Sequence, residues 1–123
     1  MGTYTEIYVN VDLKEDVPFD VINVLHAMSS DVHSSILDTK PRRWRWLFRN
    51  GSYYTPTTYC SILSFNETLK RYSFLGKGDI KNYEGEIEAF FGWLNPHIDA
   101  VPGEFIGYMR REDEKLPTLF TKE

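Results

Sequence analysis

Between Tyr4 and Leu13 the sequence alternates without a break. Thr5, Ile7, Val9, Val11 and Leu13 fall on one side of an extended chain, and Tyr4, Glu6, Tyr8, Asn10 and Asp12 fall on the other. Successive side chains of a strand point to opposite faces, so this pattern predicts a strand with one face to bury and one to leave wet. Whatever else the chain forms must cover the first face and spare the second.

Two helices are predicted by spacing. After Lys14-Glu15-Asp16, Pro18 stands in the first-turn position that tolerates proline, and Val21, Leu25 and Met28 follow at helical intervals with Ile22 and Val24 alongside. This predicts a helix over residues 17–29, capped by Asp16 and stopped at Ser29-Ser30-Asp31, with residues 30–40 as loop. From Tyr83 to Leu94 the residues Ile87, Phe90, Phe91 and Leu94 form a second apolar stripe, ending near Asn95-Pro96. Glu84, Glu86 and Glu88 sit on its other face and read as a solvated surface.

The remaining segments read as strands. Residues 59–65 and 69–76 form a pair joined by Asn66-Glu67-Thr68, and Phe105 to Arg110 and Thr118 to Thr121 flank a charged loop, Arg111 to Lys115. Asn50-Gly51 is the signature of a tight hairpin turn, which predicts a hairpin over residues 43–58. In it Trp44, Trp46 and Phe48 point one way, Arg43, Arg45 and Arg49 the other, Tyr53 lies across from Phe48, and Pro56 limits the ladder. The rival reading starts a short helix at Pro41 and takes Arg42 to Phe48 as two turns, because short apolar runs are ambiguous by periodicity.

This order of elements predicts one α+β domain over residues 1–123: a mainly antiparallel sheet of about five to six strands with two helices packed on one face. A ferredoxin-like arrangement is one member of the class.

Charge and composition exclude some functions. The 14 Lys and Arg against 18 Asp and Glu give a net charge of −4, which argues against a globally basic binder of nucleic acid or membrane surfaces. Cys60 is the single cysteine and has no intramolecular partner for a disulfide. The N-terminus shows no export signal, and no apolar run approaches the roughly 18 residues of a membrane span, so a cytoplasmic protein without membrane contact is expected. Aromatic residues make up 15% of the chain, more than a small core uses, so some belong at the surface or an interface.

Residues able to do chemistry are not arranged for it. His26, His33 and His97 have no metal-ligand spacing, and Cys60, in a predicted strand, reads as a small buried hydrophobe. No metal and no cofactor is expected. Gly76-Lys77-Gly78-Asp79 lacks the spacing of a phosphate loop and reads as a connector between strand and helix.

The most informative cluster is Lys40 to Arg49, with five basic residues, three aromatics and no acid, which leaves the rest of the chain at −9. Arginines clamp phosphates or carboxylates and tryptophans stack or fill pockets, so Arg42, Arg43, Trp44, Arg45, Trp46, Arg49, Tyr53 and Tyr54 are the candidate binding residues. The simpler reading makes both tryptophans core and the arginines a solvated strand side paired with the chain's own acids.

Several passages, Met1-Gly-Thr-Tyr-Thr-Glu-Ile, Gly51-Ser-Tyr-Tyr-Thr-Pro, Leu75-Gly-Lys-Gly-Asp-Ile-Lys-Asn-Tyr and Phe105-Ile-Gly-Tyr, resemble a group of small proteins of bacterial phages and prophages that carry no assigned activity. The resemblance implies a bacterial cytoplasm and a role in binding a host or phage protein. Charge segregation and the excess of aromatics make the expected function a non-enzymatic protein-interaction module acting through residues 42–54, with self-association through the same hairpin as a variant. Binding of single-stranded nucleic acid through residues 40–49 is the first alternative and a small enzyme of unknown class the second.

Overall fold

The computed structural model describes residues 3–30, 35–49, 60–82 and 84–123. Its strands are β1 (Tyr4–Asp12), β2 (Cys60–Asn66), β3 (Arg71–Lys81), β4 (Phe105–Arg111) and β5 (Thr118–Thr121), and its α-helices are α1 (Phe19–Met28) and α2 (Glu86–Leu94). Short 3₁₀ helices span Ser35–Thr39, Arg42–Trp46 and Asn95–His97.

β1 has the predicted alternation: Thr5, Ile7, Val9, Val11 and Leu13 are all buried, at 6% exposure or less. It lies at the middle of one five-stranded sheet of order β2-β3-β1-β4-β5, in which every neighbouring pair is antiparallel. The first four strands and two helices follow in the order β-α-β-β-α-β with β1 between β3 and β4, which is the split β-α-β, or ferredoxin-like, topology. β5 extends the sheet past β4. Both helices pack on the face that carries Ile7 and Val9, where they enclose one apolar core with Phe74, Ile80 and Ile106 of the strands. No helix of the described residues is long and apolar enough to cross a membrane.

α1 buries Val21, Ile22, Val24, Leu25, Ala27 and Met28. Asp16 does not cap it. Pro18 holds the cap position with φ −58° and no side-chain hydrogen bond, and its carbonyl accepts from the Val21 N–H at 3.0 Å. At the other end the Ser29 hydroxyl donates to the Leu25 carbonyl at 2.9 Å and lies 2.8 Å from the Ser61 hydroxyl, which ties the helix to β2. α2 begins at Glu86 rather than at 83 because Gly85 before it is left-handed, with φ 72°. Glu86 is buried, so only Glu84 and Glu88 of the three carboxylates are on the solvated face. Residues 35–39 of the expected loop form a 3₁₀ turn, and Cys60 is partly rather than fully buried.

The largest departure from expectation is at residues 42–48. They do not form a strand: after Pro41 the chain winds into a 3₁₀ helix over Arg42–Trp46, much nearer the rival helical reading. Trp44, Leu47 and Phe48 then fall on one side and are buried at 2% exposure or less, while Trp46 turns outward. Spacings of three and four, not two, decide which residues meet the core. Asn50-Gly51, Tyr53, Tyr54 and Pro56, the other half of the expected hairpin, lie outside the described residues, as do His33 and Tyr83.

β3 also runs past its expected end at 76, so Gly76-Lys77-Gly78-Asp79 is strand and not connector. A Cβ at Gly76 would stand 2.6 Å from the Phe48 ring, and one at Gly78 would enter the Leu47 carbonyl. The glycines let the 3₁₀ segment lie directly on the strand.

Candidate binding surface

The 3₁₀ helix over Arg42–Trp46 divides the basic cluster into an inner and an outer part. Trp44 is the inner anchor, edge-on to Phe90 at 5.5 Å and to Trp93 at 5.3 Å, both from α2. Its indole N–H is buried and finds no hydrogen-bond partner among the described residues, a cost accepted for the ring's apolar contact. Phe48 continues the cluster, 5.2 Å from Phe74 and 5.1 Å from Phe90.

Three of the arginines are engaged within the chain. Arg43 Nη1 donates to Glu86 Oε1 at 2.6 Å, a contact in which the carboxylate side chain is only 2% exposed. Arg45 Nη2 reaches Asp38 Oδ1 at 3.2 Å, and Arg49 Nη1 donates to the Ser30 carbonyl at 2.6 Å. The Arg45 pair is open to water, with Asp38 62% exposed, and adds at most about 1 kcal/mol. What the cluster presents outward is Arg42, exposed, and Trp46, half exposed at 50%. The structure thus separates Trp44 from Trp46, which the sequence had grouped, and Tyr53 and Tyr54 fall outside the described residues.

A second surface was visible in the sequence only as the wet half of the β1 alternation. On the face of the sheet away from the helices, cross-strand register sets Lys81 opposite Tyr4, Asp79 opposite Glu6 and Lys77 opposite Tyr8, with Arg110 and Tyr108 of β4 beyond Glu6 and Tyr8. Tyr8 and Tyr108 stack at 5.4 Å and 22°, Arg110 lies 3.6 Å from Glu6, and Lys81 lies 5.5 Å over the Tyr4 ring. Burial, and then the Glu6 carboxylate beside it, push the Tyr108 phenol above its ordinary value, so it stays protonated and able to donate. Here are surface aromatics that the composition called for. Reading their partners needed the register of strands far apart in sequence.

On the helical side, a cavity of about 340 Å³ is lined by Asp20, Val24, Ile36, Thr39, Lys40 and Trp93, with the Lys40 ammonium 5.2 Å above the Trp93 ring. Among the described residues, no three or more His, Cys, Asp and Glu side chains gather as a metal would require. His26 is exposed on α1, and His97 ends the 3₁₀ turn after α2. Burial, and then the Lys14 charge, hold His97 below its ordinary value of 6.5. A depressed histidine contributes stability above its unfolded value that is lost as pH falls through 6.5 toward the folded one. Urea midpoints of wild type minus His97→Gln are accordingly expected to shrink from pH 7.5 to 5.5.

Set against known proteins, the chain matches no family profile, no curated protein and no solved structure.

Proposed function

We propose that the protein is a non-enzymatic binding module that engages a host or phage protein in a bacterial cytoplasm, using Trp46 with Arg42. The observation that supports this reading is the half-exposed Trp46 indole on a segment whose neighbouring Trp44 is locked in the core. Tryptophan and arginine are the residues that most often dominate protein interfaces, and a rigidly backed indole loses little entropy when it is covered. Arg43, Arg45 and Arg49 already have partners inside the chain, which leaves few guanidinium groups of the segment for a phosphate backbone.

Affinity capture from bacterial lysate tests this, run with and without nuclease and compared with Arg42→Ala/Trp46→Ala. Both side chains are exposed, so the double variant should stay within about 0.5 kcal/mol of wild-type stability per site. A captured protein that survives nuclease and is lost with the double variant is the expected result. Retention of the same proteins by both forms overturns the reading.

Single-stranded nucleic acid is a second reading, favoured by the Tyr8–Tyr108 stack with Lys77 opposite Tyr8 on the open sheet face. Bases stack on aromatic rings while cations follow the phosphates. Binding of a labelled oligothymidylate that weakens steeply with salt and fails in Tyr8→Ala supports it. No salt-dependent binding removes it.

A further inference from the structure

The two edges of the sheet are built differently. β5 is an edge of four residues, short enough to offer little to a passing strand. β2, at the other edge, has seven residues, Cys-Ser-Ile-Leu-Ser-Phe-Asn, with no charge, no proline and no glycine. It pairs with β3 in unbroken register from Cys60↔Lys77 to Asn66↔Arg71, without a bulge. Among the described residues no strand lies beyond it, and none of them pairs with its outer row of backbone N–H and C=O groups. Ile62 and Phe65 on this strand are 53% and 46% exposed. Natural edge strands carry charges, prolines or bulges that deter pairing, and β2 carries none of them.

We propose that β2 pairs with β2 of a second copy of this chain, antiparallel about a two-fold axis at Leu63, so that one sheet runs through both copies. In that register Leu63 faces its own copy, Ile62 faces the partner's Ser64, Ser61 the partner's Phe65, and Cys60 the partner's Asn66. No like charges are opposed at any of these positions, although each chain carries a net −4. A foreign peptide would find no charge on the strand to select it, whereas the chain's own strand matches it in length and lack of charge. Such an isologous contact uses up the long edge of each copy and closes at a pair, while β2-to-β5 pairing would leave free edges and grow. Two strands of this length bury less than the roughly 1,200 Å² of a standard interface, so the pair is weak and depends on concentration.

Sedimentation velocity in reductant, from about 10 µM to 1 mM, the range expected for an interface this small, tests the proposal. Wild type is expected to rise from 14.4 kDa toward twice that mass. Ile62→Lys/Ser64→Lys sets new ammonium groups against each other across the axis and should remain monomeric at every concentration. Ile62→Lys/Ser64→Glu sets an ammonium against a carboxylate in the same register and should pair at least as well as wild type. Both positions face away from the core, and circular dichroism checks that each variant folds. A wild type that stays at 14.4 kDa throughout, a Lys/Lys variant that pairs as wild type does, or a Lys/Glu variant that stays monomeric overturns the proposal.

Discussion

Gly78→Ala is expected to destabilise the protein by about 3 kcal/mol or more, at the upper end for overpacking, and to lower the melting temperature by roughly 10 °C or more. A Cβ at this position enters the carbonyl of Leu47, with the Leu47 carbonyl carbon at 2.9 Å and Phe48 Cα at 3.2 Å behind it. All of these are backbone atoms, so no rotamer change relieves the clash. Either the middle of β3 bends away from β1 or the 3₁₀ segment lifts off the sheet and takes Trp44, Leu47 and Phe48 out of the core. Gly76→Ala meets a side chain instead, the Phe48 ring at 2.6 Å, but that ring is itself wedged between Phe74 and Phe90. It should cost nearly as much. Gly92→Ala is the contrasting case: nothing lies within 4 Å, the site is exposed on α2, and alanine there should add about 0.5–1 kcal/mol by its helix propensity. Urea denaturation of the three variants reads this order. A Gly78→Ala protein as stable as wild type would mean that the segment after Pro41 does not rest on β3.

The same contact shows why part of the fold could be read from the sequence and part could not. The β1 alternation is local, and every odd residue from Thr5 to Leu13 is buried as it implied. The last strand is equally local and runs from Thr118 to Thr121 as expected. Arg43-Trp44-Arg45-Trp46 also alternates, but there the period is misleading. Which indole goes inside is decided by Phe90 and Trp93 of α2, which receive Trp44 and leave Trp46 in water. The glycines of β3 misled for a related reason. In sequence they look like a break, and only the nearby Leu47 backbone shows that they make room inside a strand.

The candidate site was half legible on the same grounds. The concentration of positive charge on residues 40–49 is plain in the sequence, and it attracted a functional reading. Much of it fastens the segment to the body of the protein. Arg43 joins it to α2, Arg45 to the 3₁₀ turn over Ser35–Thr39, and Arg49 to the chain after α1. A cationic segment on an otherwise acidic chain thus has a structural use, and of its candidate residues within the described chain Arg42 and Trp46 are the ones left exposed. Glu86 completes this pattern. Its place opposite the apolar stripe of α2 predicts a solvated carboxylate, but its partner is 43 residues away, beyond any local pattern.

Arg43→Ala is expected to be the most damaging single charge removal, costing about 3–5 kcal/mol, because it strands a carboxylate that the fold keeps from water. The Glu86 side chain is 2% exposed, and its remaining hydrogen bond in the described residues is the Glu84 N–H, donated to Oε2 at 3.2 Å. One neutral donor at that distance does not replace a guanidinium at 2.6 Å. The penalty belongs to the orphaned charge more than to the pair itself, so the paired substitution Arg43→Met/Glu86→Leu should fall within about 1–2 kcal/mol of wild type despite losing both groups. Glu86→Gln, which keeps the shape and one acceptor, should fall between the two. A double-mutant cycle from urea denaturation measures the coupling, expected to exceed about 1.5 kcal/mol for residues sharing such a contact. If instead Arg43→Ala costs less than about 1 kcal/mol, the value of an exposed pair, then Glu86 reaches water when its partner leaves, and the basic segment is not held to α2 by this contact.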